Sequence, residues 1–318
     1  RLCAASPWIA KQLSLRPALL DELLDLEHLY QAPDKHVLAR DLALQMRAIP
    51  ANDLEAQMDA LRYFKAAQVL RVAASEVGGF LPLMKVSDKL TFIAEVILDW
   101  TVKFAWTNLI SKHGKPSHLA EGTGFCVVAY GKLGGLELNY SSDLDLVFLY
   151  DAPAQTMTDG DKPIDCARFY TRLGQRVIHM LETRMSLGVL YEVDMRLRPS
   201  GNSGLLVSSF SAFERYQLQE AWTWEHQALS RARAVAGDTR LAEAFQAIRL
   251  NVLSLPRGKA ALADEVQSMR GKMRENLDTD IKGDSFNLKH GFGGIVDIEF
   301  MVQYALLALS ASYPSLAE

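Results

Sequence analysis

Apolar residues recur at helical spacing near both ends of the chain and at strand spacing only in its middle. Pro17-Ala-Leu-Leu-Asp-Glu-Leu-Leu-Asp-Leu-Glu-His-Leu-Tyr30 and Asp88-Lys-Leu-Thr-Phe-Ile-Ala-Glu-Val-Ile-Leu-Asp-Trp100 keep apolar positions three and four residues apart, which predicts helices. Phe125-Cys-Val-Val-Ala-Tyr130 and Leu144 to Tyr150 are short β-prone runs, the first stopped by glycines, and predict strands. Tyr191-Glu-Val-Asp-Met-Arg-Leu-Arg198 alternates without a break, so Glu192, Asp194, Arg196 and Arg198 share the polar face of a third strand. Between strands two and three, Cys166 to Ser186 reads as a helix packing Phe169, Leu173, Val177 and Met180 on the sheet. Ser211-Ala-Phe-Glu214 has the capping-box form that starts a further helix. The predicted fold is therefore α+β, mostly helical, with a small mixed sheet flanked by helical regions. Residues 1-118 form the first helical region, 119-208 hold the strands, and helices return over 209-318.

The candidate chemistry lies between the first two strands, where Gly131-Lys-Leu-Gly-Gly135 precedes Asp143 and Asp145. Side chains two apart in a strand share a face, so the two aspartates project together while Leu144 and Leu146 are buried behind them. Carboxylates held side by side repel, and a divalent cation between them relieves that repulsion. Magnesium favours such a site, with substrate phosphates and water completing its shell. Gly134 and Gly135 have no side chain, so their N–H groups can approach phosphate oxygens. With Asp194 added, three carboxylates from two strands suit two metal ions, and Arg196 and Arg198 lie where they would neutralise a triphosphate. A strand that only needs a solvated face carries such charges too, and the pairing with Asp143 and Asp145 is what favours a site.

These segments resemble the glutamine synthetase adenylyltransferases, bifunctional adenylyl-adding and adenylyl-removing enzymes whose halves are similar to polymerase beta-type nucleotidyltransferases. The likeness is carried by Gly131 to Asp145, Tyr191 to Gly204, Glu220-Ala-Trp-Thr-Trp-Glu-His-Gln-Ala-Leu229 and Gly293-Gly-Ile-Val-Asp-Ile-Glu-Phe300, and more diffusely by Tyr63 to Glu76. Seven residues, 136–142, separate Gly135 from Asp143, shorter than is usual in the wider superfamily and in keeping with this family. The resemblance implies that Asp143 and Asp145 are the catalytic and metal-binding pair, with Asp194 the third carboxylate. It implies ATP as substrate, held by Gly134, Gly135, Ser142, Lys132, Arg196 and Arg198, and magnesium, two ions, as cofactor. The Trp222-Thr-Trp-Glu-His226 core resembles the C-terminal, AMP-adding half, whose partners would be glutamine synthetase and the PII signal protein, with glutamine as effector. The alternatives are the deadenylylating, phosphate-using half and a non-catalytic nucleotide- or signal-sensing module; the second predicts loss of the metal carboxylates, and all three are present. On this reading residues 209-318 complete the active site and begin a further helical domain.

Several residues carry two readings. Trp222 and Trp224 suit either an adenine platform or, more commonly, core packing. Glu225 and His226 are candidate contacts, although metal activation makes a histidine base unnecessary. Phe286-Asn-Leu-Lys-His-Gly-Phe-Gly-Gly294 opens a helix, a junction that attracts anions, so Lys289 either meets phosphate or substrate or sits in a simple turn. Asp297 is equally explained as a dipole partner in the first helical turn, and Glu299, one turn before Gln303, is the better contact candidate. Glu192, Glu225, Lys289 and Glu299 are thus the possible substrate or nucleotide contacts.

The 318-residue chain carries 34 Lys and Arg against 38 Asp and Glu, a formal charge of −4. Nucleic-acid binding normally requires a basic balance, so no nucleic-acid partner is expected. Cys3, Cys126 and Cys166 are scattered without metal-site spacing and suit a reducing cytoplasm, with Cys126 a buried strand residue. Residues 1–20 are too broken by polar positions for a signal peptide, and no apolar run reaches membrane-spanning length. A chain opening at Arg1 and closing on Ser315-Leu-Ala-Glu318 just after an apolar helix reads as a fragment.

Overall fold

A computed structural model describes residues 2–24, 29–50, 52–276 and 287–318. It is α+β and mostly helical, with one small mixed sheet of five strands. The main helices are α1 (Pro7–Leu15), α2 (Lys35–Arg47), α3 (Leu54–Val77), α4 (Leu83–His113), α5 (Cys166–Glu182), α6 (Phe210–Gln219), α7 (Thr223–Leu229), α8 (Thr239–Leu253), α9 (Lys259–Asn276) and α10 (Ile295–Leu309). The strands are β1 (Phe125–Ala129), β2 (Leu144–Tyr150), β3 (Val193–Asp194), β4 (Val207–Ser209) and β5 (Arg233–Gly237).

β1 lies between β2 and β5, antiparallel to both, and β2 carries β3 and β4 along its other edge, both parallel to it. The alternation of the strands decides what each face buries. Phe125, Val127, Leu146 and Phe148 join a core with α4 and α5, whereas Cys126, Val128, Val147 and Leu149 join one with Phe213, Leu241 and Phe245. β1 is apolar throughout because helices cover both of its sides. The helix linking β2 to β3 packs Phe169, Leu173, Val177 and Met180 inward at full burial, as its spacing predicts. Asp165 caps it by accepting from the N–H groups of Ala167 and Arg168.

Local expectations fail in four places. Pro17–Leu23 forms a tight 3₁₀ turn, and positions 25–28 of the predicted helix lie outside the described residues. The alternating run after Tyr191 pairs only over Val193–Asp194, because the Arg196 N–H donates to Asp194 Oδ1 at 2.8 Å and turns the chain. The cap of α6 is Ser209, which accepts from the Ala212 N–H, and Ser211 is already the second residue of the helix. Trp222 is 71% exposed at the head of α7, so it is not a core residue.

Two cations on α3 fix the segment between α5 and β3. Arg62, 3% exposed, donates to the carbonyls of Gly188 (2.9 Å), Met58 (2.9 Å), Met180 (3.1 Å) and Thr183. Lys65 donates to the Leu190 carbonyl at 2.5 Å and lies over the Tyr191 ring. The chain therefore enters β3 from an anchored position.

Candidate active site

Register places the acidic residues. In the parallel pairing of β2 with β3, Leu144 faces Val193 and Asp145 faces Asp194, and the Leu144 N–H donates to the Glu192 carbonyl at 2.9 Å. The antiparallel β1–β2 connection holds the short helix Gly131–Gly134 over the same end of the sheet. An open cleft of about 540 Å³ follows, lined by Asp143, Glu182, Val189, Glu192, Val193, Asp194 and Arg196. Four of these side chains are acidic and one is basic.

Burial pushes the Asp145 carboxyl up to about 6, and the neighbouring Asp143 and Asp194 add repulsion in the same direction. Asp194 moves the other way, because the Arg196 guanidinium holds it below the usual carboxylate range. Arg196 Nε lies 2.7 Å from Oδ2 and 3.0 Å from Oδ1, with Nη2 closing the fork. Among the described residues, no three His, Cys, Asp or Glu side chains are grouped as a ready-made metal site. The donors are nevertheless hard carboxylate oxygens, and the repulsion on Asp145 is the strain a divalent cation relieves. The residue set fits such an ion once Asp194 exchanges Arg196 for it.

The glycine loop takes a form its sequence did not predict. The Gly134 and Gly135 N–H groups donate to the carbonyls of Tyr130 (3.1 Å) and Gly131 (3.0 Å), so they close a helical turn and do not point at a ligand. Gly134 is required for close approach: a Cβ there would lie 2.0 Å from the Arg231 carbonyl oxygen. Gly131 has φ +55° and lies against Asp145, where a Cβ would come within 2.4 Å of Oδ2. Lys132 is exposed on the same turn, and the Ser142 hydroxyl accepts from the Asn139 N–H at 3.0 Å.

Other predicted contacts separate. Arg198 lies past the end of β3 and donates to the carbonyls of Met195 (2.8 Å) and Asn202 (3.1 Å), so it braces the following loop. Glu225 is buried, accepting from the Tyr216 hydroxyl at 2.8 Å and reaching back to the Trp222 N–H at 2.9 Å. His226 Nε2 lies 2.8 Å from the Gln217 carbonyl and its Nδ1 3.2 Å from Arg257, and burial lowers its pKa. Asp297 accepts from Arg270, Arg274 and the Gly293 N–H, which ties α9 to α10. Lys289 is exposed in the turn before α10. Glu299 accepts from Arg231 at 2.6 Å, and the same guanidinium pairs with Glu137 at 2.9 Å. Arg231 also draws the Asp145 carboxyl downward.

Gly131, Arg231 and Glu137 are thus parts of the site that sequence reasoning missed. Gly131 stood within the recognised loop, but only the fold brings it against Asp145. Arg231, in the turn before β5, has no local signal at all.

The fold and its acidic cleft define an α+β protein that gathers carboxylates at one sheet edge. A profile described as glutamate-ammonia ligase adenylyltransferase matches residues 1–248, and the chain belongs to that family. Bifunctional glutamine synthetase adenylyltransferase/adenylyl-removing enzymes are similar throughout: 54% identical over 99% of this chain in Pseudomonas putida, and 55% over its whole length in Pseudomonas syringae. The protein of that name from Nitrosococcus oceani is 54% identical over the whole chain. The chain spans about a third of the length of these relatives, 33–34%. Among the described residues, no helix is long and apolar enough to cross a membrane.

Proposed function

We propose that this chain is the AMP-adding part of such an enzyme, transferring AMP from ATP to a tyrosine hydroxyl of glutamine synthetase with release of pyrophosphate. The observation that carries the reading is the register pairing of Asp145 with Asp194, which with Asp143 lines an acidic cleft that Asp145 itself does not line. Asp143, Asp145 and Asp194 would hold magnesium, two ions, which would lower the pKa of the attacking hydroxyl and neutralise charge on the leaving phosphates. Glu192 and Glu182 extend the negative wall. Arg196 leaves Asp194 for the triphosphate as the nucleotide arrives, and Lys132 adds a second cation from the glycine turn. Arg231, held between Glu137 and Glu299, keeps the turn beneath Asp145 in place. Stabilising charge that develops on phosphate oxygens is the main task of such a site.

In this reading residues 119-208 are the catalytic core, and the helical regions on either side brace it and meet the substrate. The names of the relatives support glutamine synthetase as target; the PII signal protein and glutamine as regulators, and a cytoplasmic setting, rest on the family resemblance alone. The Trp222-Thr-Trp-Glu-His226 segment favours addition over removal. The test supplies the protein separately with α-labelled ATP plus unmodified glutamine synthetase, and with adenylylated glutamine synthetase plus phosphate. Label on the unmodified subunit supports addition; ADP release in the second arm alone would replace it by the removing activity.

A further inference from the structure

We propose that the groove between the C-terminal end of α4 and the outer face of α5 is a binding site for a small anion carrying two or more phosphate groups. This cavity, about 450 Å³, is lined by three cationic side chains, Lys112, Arg172 and Arg176, with the imidazoles of His113 and His179, and its remaining wall is neutral. It shares no lining residue with the carboxylate cleft. The chain as a whole is acidic, with a formal charge of −4, so this grouping is a local segregation of charge.

Lys112 and His113 stand in the last turn of α4 and His179 in the last turn of α5, where the helix dipole favours cations. Arg172 and Arg176 have no such explanation. They lie within α5, four residues apart, and like charges at that spacing repel. Among the described residues none of the five forms an ion pair with a carboxylate; their partners are neutral. Arg172 Nη1 lies 3.0 Å from His113 Nε2, His113 Nδ1 lies 2.9 Å from the Lys162 carbonyl, and Arg176 donates to Asn108 Oδ1. Asp159, which approaches the same end of α4, accepts instead from the Lys115 N–H at 2.7 Å. Two guanidiniums are therefore steadied by neutral groups with donors left over, and a planar fork of this kind matches phosphate oxygens. The volume falls within the range of small-ligand sites and leaves room for a diphosphate or triphosphate group.

The test is calorimetric titration of inorganic pyrophosphate and tripolyphosphate into the protein, with EDTA present and Asp143→Asn/Asp145→Asn in the background to remove the cleft. The expected result is saturable binding that weakens with salt, and at least a tenfold loss of affinity in Arg172→Gln/Arg176→Gln. Lys112→Glu, at an exposed position, should also lower affinity severalfold and serves if the double variant does not fold. Citrate distinguishes phosphate recognition from general anion attraction and should bind at least tenfold more weakly. Equal affinity for citrate, affinity unchanged by Lys112→Glu or by the arginine pair, or no binding at millimolar pyrophosphate overturns the proposal.

Discussion

Asp145 stands directly opposite Asp194 in the parallel pairing of β2 with β3, yet their carboxyls are driven in opposite directions, Asp145 upward by burial and Asp194 downward by Arg196. The neutral form of Asp145 is therefore favoured by folding. A carboxyl whose folded pKa lies above its unfolded value contributes stability below the unfolded value and loses it as pH rises through about 6. Without divalent cations, the stability of the wild type relative to Asp145→Asn should fall by about 3 kcal/mol between about pH 4 and pH 7. A pH dependence identical in wild type and variant would refute the linkage.

Arg196 occupies Asp194 through a forked contact. If Asp194 exchanges this partner for magnesium, Arg196→Gln should tighten magnesium binding severalfold while raising the KM for ATP. Calorimetry and initial rates read the two effects separately. Magnesium affinity unchanged by the substitution would mean that the arginine and the ion do not compete.

Gly134 is fixed by packing and Gly131 by both conformation and the carboxylate beside it. A Cβ at Gly134 would strike a backbone carbonyl at 2.0 Å that cannot easily move, so Gly134→Ala should cost about 2 kcal/mol or more of stability. Gly131→Ala instead meets Asp145 and should lower transfer more than stability. Denaturant unfolding paired with activity distinguishes them, and a Gly134→Ala protein as stable as wild type would contradict the packing argument.

Glu225 belongs to the junction of α6 and α7 and stands apart from the cleft. Its carboxylate serves the Tyr216 hydroxyl and the Trp222 N–H from a buried position, so Glu225→Ala should destabilise by about 2–4 kcal/mol. At a temperature where the variant is fully folded, its kcat should stay within about threefold of wild type. A large loss of kcat in folded protein would place Glu225 in the chemistry.

Much of this was legible because period-two and period-3.6 patterns report burial. The strands at Phe125 and Leu144 and the helix packing Phe169 and Leu173 on the sheet follow from spacing alone. What was not legible depends on partners distant in the chain. The run after Tyr191 has perfect alternation, but the Arg196 N–H folds onto Asp194 and ends the strand, so Arg198 leaves the site. Trp222 has core chemistry and an exposed position because the cap of α7 turns it outward. Arg231 reaches the glycine turn from a segment about a hundred residues away, which no local window contains.

The most direct test of the central claim is AMP transfer from α-labelled ATP and magnesium to unmodified glutamine synthetase, with glutamine and PII present, comparing wild type with Asp143→Asn and Asp145→Asn. Label on the subunit with wild type, reduced at least a thousandfold in both variants while their folding is intact, is the predicted result. Transfer that survives either substitution would show that the carboxylate edge of β2 is not where the reaction occurs.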